Sequence, residues 1–327
     1  MDYYYFISTN LRSYLLSIGW ESGSLMNTIL EIKGLSKSFQ QPVLNNLNMS
    51  IPKGSIYGFV GKNGAGKTTT MKLILGLICA DQGEITVCDT LVTFGNTDVN
   101  KHIGYLPDVP AFYNYMTAKE YLVLCGKLLY QNNKTIYQYI DELLEKVGLT
   151  NIKQTIGSYS RGMKQRLGIA QALIGKPDLL ICDEPTSALD PNGRRDILSI
   201  LNSIKDQTTV IFSTHILSDV QNICDYIGIL DQGHIVLEGN IQELEKQTSQ
   251  SKLSISFYYA KDVTTCYDLL KNQFTSSQTT KEIIYQLNDV DKDSLYIMNT
   301  LVNHKLVPSQ FLLQQKTIED IFLEVTA

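Results

Sequence analysis

From Ile29 onward, short apolar runs alternate with longer stretches in which apolar residues recur at helical spacing. That alternation predicts strand and helix in turn, and so an α/β fold: a mostly parallel sheet covered by helices. Ile29–Lys33, Val43–Ile51 and Ser55–Val60 read as strands, and a glycine-rich loop at Gly61–Gly66 leads into a helix over Lys67–Gly76. Helical spacing over Thr117–Tyr130, Lys134–Val147 and Ser158–Ile174 predicts a largely helical insert before the next strand, Leu179–Cys182. Strands are expected again at Thr209–Phe212, Tyr226–Leu230 and His234–Leu237, with helices at Gly193–Lys205 and Ile216–Asn222.

The polar, unpatterned Gln247–Ser251 reads as a linker. Beyond it, strands are expected at Leu253–Tyr258, Glu282–Gln286 and Leu306–Leu313, with helices at Val263–Asn272, Asp291–Asn303 and Ile318–Val325. The expected organisation is an ill-ordered extension over 1–25, a main domain over 26–246, the linker 247–251, and a small α/β domain over 252–327 without a chemical motif. Met26, just before the first strand pattern, reads as the natural start. There is no internal repeat.

Composition narrows the choices. With 327 residues, 43% of them hydrophobic, the chain can bury one large core and a smaller one. A net charge of -5, with no long run of either sign, argues against a nucleic-acid partner. The six cysteines lack CxxC spacing and the density of a disulfide framework, which fits a reducing compartment. The most apolar stretch, Tyr3–Trp20, is broken by Asn10 and Arg12 and falls short of the roughly 20 apolar residues of a spanning helix. It also lacks the basic start and cleavage site of a secretion signal.

Gly61-Lys62-Asn63-Gly64-Ala65-Gly66-Lys67-Thr68 fits GxxxxGK[ST] and falls between a predicted strand and a predicted helix. Glycines let such a loop curl so that backbone N–H groups converge on phosphate oxygens, and the helix N-terminus adds donors and partial positive charge. Gly61 through Thr69 are therefore expected to hold the nucleotide, with Lys67 reaching the β- and γ-phosphates and Thr68 ligating Mg²⁺. GTPases, kinases and motor ATPases share this loop, so it does not define the enzyme class. Leu179–Cys182 ends in two acids, which suit two tasks: Asp183 holding Mg²⁺ and Glu184 orienting or deprotonating the attacking water.

Between these motifs lies Ser158-Tyr159-Ser160-Arg161-Gly162-Met163-Lys164-Gln165-Arg166-Leu167, which resembles the signature sequence of ABC ATPases in the form several drug and peptide exporters use. The resemblance implies that Ser160, Arg161, Gly162 and Met163 grip the γ-phosphate of ATP held by a second subunit. Further stations follow in the family's order. Phe39 stands as the aromatic on adenine, Asp108 as coupling residue and metal contact, Ser187–Asp190 as the loop coupling the two sites through Asp190, and His215 as the γ-phosphate sensor. Asp108 and Arg161 depart from the commonest family pattern, which has glutamine or glutamate at the first and often glycine at the second, and Tyr159 replaces the usual leucine.

The closing Lys316–Val325 also looks like the tail of the bacitracin-resistance type of exporter subunit. The resemblance thus implies an ATPase using ATP and Mg²⁺. It would dimerise with itself or a homologue and drive a separate membrane permease from the cytoplasmic face of the membrane. A soluble ABC ATPase working on ribosomes or DNA is the alternative. Against it stand a single cassette and a gap of about a hundred residues, rather than a long coiled coil, between phosphate loop and metal carboxylate.

Overall fold

The computed structural model describes residues 28–130, 135–247, 252–314 and 318–325. The expected extension 1–25 and all of the linker but Gln247 lie outside the described residues. The chain forms two compact units, dividing between Asn240 and Ile241. The division precedes the expected linker because Ile241–Gln247 continues as a helix within the second unit.

In chain order the first unit runs β1 (Thr28–Ser38), β2 (Pro42–Pro52), β3 (Ile56–Gly61), α1 (Lys67–Ile74), β4 (Gln82–Val87), β5 (Thr90–Leu91) and β6 (Ile103–Leu106). It continues with α2 (Ala118–Tyr130), α3 (Thr135–Lys146), α4 (Arg161–Leu173), β7 (Leu179–Cys182), α5 (Pro191–Ile204), β8 (Thr209–Thr214), α6 (Leu217–Ile223), β9 (Tyr226–Asp231) and β10 (His234–Asn240). A six-stranded sheet has the order β10-β9-β3-β8-β7-β6. It is parallel throughout except at β10, which returns antiparallel along β9. Every residue of β3, β7 and β8 is buried. Strands covered on both faces are expected to read as near-continuous apolar runs, as β7 does, while β8 ends on the polar Ser213 and Thr214.

The first two predicted strands do not join that sheet. β1 and β2 pair antiparallel and form a second sheet with β4 and β5, in the order β2-β1-β4-β5. The expected helical insert likewise shares its interval with β4, β5 and β6. The two sheets of this unit share one core, in which Leu30, Ile32 and Leu47 join Tyr57, Phe59, Met71, Ile181 and Leu230.

The second unit holds α7 (Ile241–Gln247), β11 (Lys252–Ser256), α8 (Ala260–Leu270), β12 (Ser276–Gln278), β13 (Glu282–Gln286), α9 (Val290–Asn303), β14 (Gln310–Gln314) and α10 (Ile318–Val325). Its sheet, β12-β13-β11-β14, is antiparallel throughout and follows a split β-α-β-β-α-β path. Leu253, Ile255, Tyr285, Ile297 and Leu301 centre its core. The last strand was expected from Leu306, but that residue caps α9 instead. Lys305 takes a left-handed φ of 55°, and the Leu306 N–H donates to the Leu301 carbonyl at 2.9 Å, the helix-ending pattern usually built on glycine. No helix among the described residues is long and apolar enough to cross a membrane.

Candidate nucleotide site

Parallel pairing sets the site. Val60 of β3 is opposite Thr214 of β8, and Cys182 of β7 is opposite Phe212, so three neighbouring strands end side by side. The phosphate loop follows the first, Asp183 and Glu184 the second, and His215 the third. In open α/β sheets ligands collect at such carboxyl ends.

The loop is built by local geometry. Gly66 has φ of 115°, and a Cβ there would come within 2.7 Å of Leu44 Cδ2, so both backbone and packing demand glycine. Gly64, at φ 84°, has open space around it. α1 then begins with Gly66 as its cap, with no side-chain hydrogen bond to its first N–H groups and no acid in its first turn. Those donors suit an anion, as does Lys67, which is only 6% exposed. Its Nζ donates to the Gly61 carbonyl at 2.7 Å and lies 3.2 Å from Glu184 Oε1. Thr68 is exposed and Thr69 half-buried at the start of the same helix, while Lys62 and Asn63 are exposed on the loop.

Asp183 is 3% exposed at the end of β7, and its N–H donates to the Leu106 carbonyl. The Ser213 hydroxyl donates to Asp183 Oδ1 at 2.7 Å and accepts the Glu184 N–H at 2.8 Å. Ser213 therefore fixes both acids, a role that sequence reading missed because it sits unmarked inside a wholly buried strand. No hydrogen bond among the described residues engages Asp183 Oδ2, so a carboxylate oxygen is available to a cation. With the Thr68 hydroxyl and open loop N–H groups, the donor set fits a triphosphate and a hard divalent ion. Burial and the charge of Asp183 push the neighbouring Tyr105 up to about 12.

Glu184 adopts a left-handed φ of 49°, a backbone cost of about 1–3 kcal/mol for a residue with a Cβ. The turn aims its carboxylate between a lysine and an imidazole: Oε1 faces Lys67, and Oε2 lies 2.9 Å from His215 Nδ1. Beyond it, Thr186 and Arg194 converge on Asp219, at 2.7 Å and 2.6 Å. Asp219 is buried, so this bonding ties the Ser187–Asp190 turn and α5 to the helix after His215. Sequence reading missed this cluster too, since no motif spacing joins residues on three elements. Asp190 caps α5 from an exposed position, with Pro191 in the first turn.

The signature stretch faces outward. Ser160 caps α4, its hydroxyl accepting the Met163 N–H at 3.2 Å. A side chain added at Gly162 would meet nothing nearer than Leu189 at 3.9 Å, so packing within the chain does not require that glycine. Arg161 and Asp108, the two residues departing from the family pattern, meet each other at 3.1 Å, both exposed. Gln165 donates to the Asp108 carbonyl at 2.7 Å, leaving its own buried Oε1 without a partner among the described residues. Phe39 is 62% exposed, which excludes a core role, and Lys37 lies 5.4 Å from its ring centre.

A phosphate loop, paired acids just past a buried strand, and a histidine just past its neighbour define a phosphate-loop nucleoside triphosphatase of the ATP-binding-cassette build. The family described as ABC transporter matches residues 44–187. An uncharacterized ABC transporter ATP-binding protein of Bacillus subtilis (strain 168), YxlF, is 34% identical over 303 residues, covering 91% of this chain and 99% of that one. The bacitracin transport ATP-binding protein BcrA of Bacillus licheniformis is 39% identical over 226 residues, covering 68% of this chain and 73% of its own. A solved structure, the ATP-binding subunit of an ABC transporter, superposes with a TM-score of 0.61 at 30% identity, covering 67% of this chain and 93% of that one. The chain belongs to the ABC transporter ATP-binding proteins and is an ATPase whose hydrolysis is coupled to transport. Subunits of this class pair with a membrane permease.

Proposed function

We propose that two copies of this chain, or this chain and a homologue, close around two ATP molecules, each cradled by one subunit's Lys67 loop and sealed by the other's Ser160–Met163 stretch. The single observation carrying this reading is the outward Gly162, whose missing side chain serves no contact in its own subunit. A glycine free of internal constraint beside a helix N-terminus suits close approach of a phosphate from outside. Phe39 stacks on the base, and Lys67 and the loop N–H groups take the β- and γ-phosphates. Thr68 and Asp183 hold Mg²⁺, with Asp108 as an outer contact. Bound Mg²⁺ neutralises phosphate charge. Glu184 orients and deprotonates the attacking water, and His215 reads the γ-phosphate from the other side of that carboxylate. Losing the γ-phosphate removes the contacts across the interface, so the pair opens, and the Asp108–Tyr115 segment passes the motion to a separate permease. The chain works at the cytoplasmic face of the membrane through that permease, with no nucleic acid involved.

The cargo class we infer is drugs or antimicrobial peptides, on the likeness to the bacitracin transport protein. Glu184→Gln protein incubated with ATP and Mg²⁺ should elute as a dimer, and Gly162→Asp introduced into it should restore the monomer. A nucleotide-trapped species that is monomeric in both would overturn the composite site. Resistance to bacitracin in cells carrying this chain with its permease, lost on Glu184→Gln, tests the cargo class.

A further inference from the structure

Away from the nucleotide site, Cys88, His102 and Asp178 bring a thiol sulfur, a ring nitrogen and a carboxylate oxygen within 4.8 Å of one another, all three residues half-buried. They come from separate segments. Cys88 lies in the turn between β4 and β5, His102 directly precedes β6, and Asp178 directly precedes β7. The cluster therefore sits at the amino ends of β6 and β7, whose opposite ends carry Asp108 and the catalytic acids.

The turn itself gives an independent reason to look here. β4 and β5 pair up to Val87 and Thr90, so Cys88 and Asp89 are the two central residues of a hairpin, and both have positive φ, 47° and 58°. Such turns favour Asn-Gly or Asp-Gly, and a cysteine in this conformation is strained. A residue with no reason to be there on local grounds has its sulfur among two other ligand types. His102 Nδ1 lies 2.7 Å from Asp178 Oδ2, an existing pair that orients the ring, while the thiol has no hydrogen-bond partner among the described residues.

We propose that Cys88, His102 and Asp178 bind a thiophilic divalent cation of the zinc class, with water completing a tetrahedral shell. Sulfur, imidazole nitrogen and carboxylate are the three zinc ligand types, and three protein ligands plus water is a recognised shell. The ion staples the β4–β5 hairpin of the antiparallel sheet to two strands of the parallel sheet. Burial and the Asp178 charge push the Cys88 thiol up, so the free site carries a protonated thiol and metal uptake releases that proton to solvent. Wide sequence spacing, and the lack of any CxxC, hid the cluster from sequence reading.

The test uses the full chain, stripped with chelator and titrated with Co²⁺ under a phosphine reductant. A thiolate-to-cobalt charge-transfer band saturating near one equivalent, displaced by Zn²⁺, is expected. Cys88→Gly should abolish the band, keep ATP hydrolysis and fold readily, because the turn favours glycine. His102→Ala and Asp178→Asn should each weaken binding by at least about tenfold, the lower end of what outer-shell partners cost. Cys79→Ser should leave the band unchanged. Absence of the band, or its persistence in Cys88→Gly, would overturn the site and leave only a His102–Asp178 ion pair.

Discussion

The two faces of the nucleotide machinery on this one chain are built in opposite ways. At the strand ends, Lys67, Glu184, Asp183, Ser213 and His215 are tied to one another by short bonds, and Lys67, Asp183 and Ser213 are buried. At the start of α4, Ser160 and Gly162 have no such ties; one caps its own helix, and the other has room for a side chain that would only reach Leu189 at 3.9 Å. The first face is complete in itself, and its residues constrain each other. The second is a surface whose residues the chain's own packing does not account for, and which the proposed second subunit would. If the site is shared as proposed, a residue's bonding within one subunit says which half of it that residue serves.

The largest expected effect tests the closed face. Glu184→Gln should lower ATP turnover by roughly 10²–10⁴-fold, the range of a lost general base, with ATP binding retained. Next, Lys67→Ala should weaken ATP binding by about 10–100-fold, the loss of one charge-assisted contact, in a direct nucleotide-binding titration. Gly162→Asp would sharpen the contrast, since it should leave ATP binding to the single subunit near normal while removing ATP-dependent dimers and turnover.

A smaller effect concerns Glu238, whose carboxyl takes the Tyr57 hydroxyl at 2.8 Å and is raised by burial to about 7. Its folded value exceeds its unfolded one, so its contribution is fully present below about pH 4.5 and is lost as pH rises through about 7. Glu238→Gln should remove up to about 3 kcal/mol of that loss, read as a smaller drop in denaturation midpoint between pH 4 and pH 8. The smallest concerns Arg161→Ala. Its exposed pair with Asp108 should change stability by no more than about 1 kcal/mol, and a larger loss would mean the signature face is internally held after all.

The strand-end site was legible in the sequence wherever its chemistry is contiguous. Gly61–Thr68 and Leu179–Glu184 announce themselves because loop, strand and acids follow one another along the chain, and β7 falls where its four apolar residues lie. Ser213, Asp219 and Arg194 were not legible, because their partners are fixed by strand order and helix packing. β4 has three exposed residues in six and β12 reads Ser-Ser-Gln, so neither carries the apolar signal that marks a strand. That β1 and β2 belong to their own antiparallel sheet was hidden for another reason: pairing direction is a tertiary choice that an apolar run does not encode. The meeting of Arg161 with Asp108 could have been guessed only from their sharing the status of exceptions.

The ion pair between Lys67 and Glu184 works like an interlock. In the structure the lysine lies against the carboxylate to which the proposed mechanism gives the activation of water, and on that reading each group silences the other. On the proposed mechanism a γ-phosphate would compete for the lysine and, in drawing it away, would release the carboxylate, so the fuel itself would remove the safety catch. An enzyme wired this way idles cheaply, because its most reactive group is unshackled only when there is something to cut.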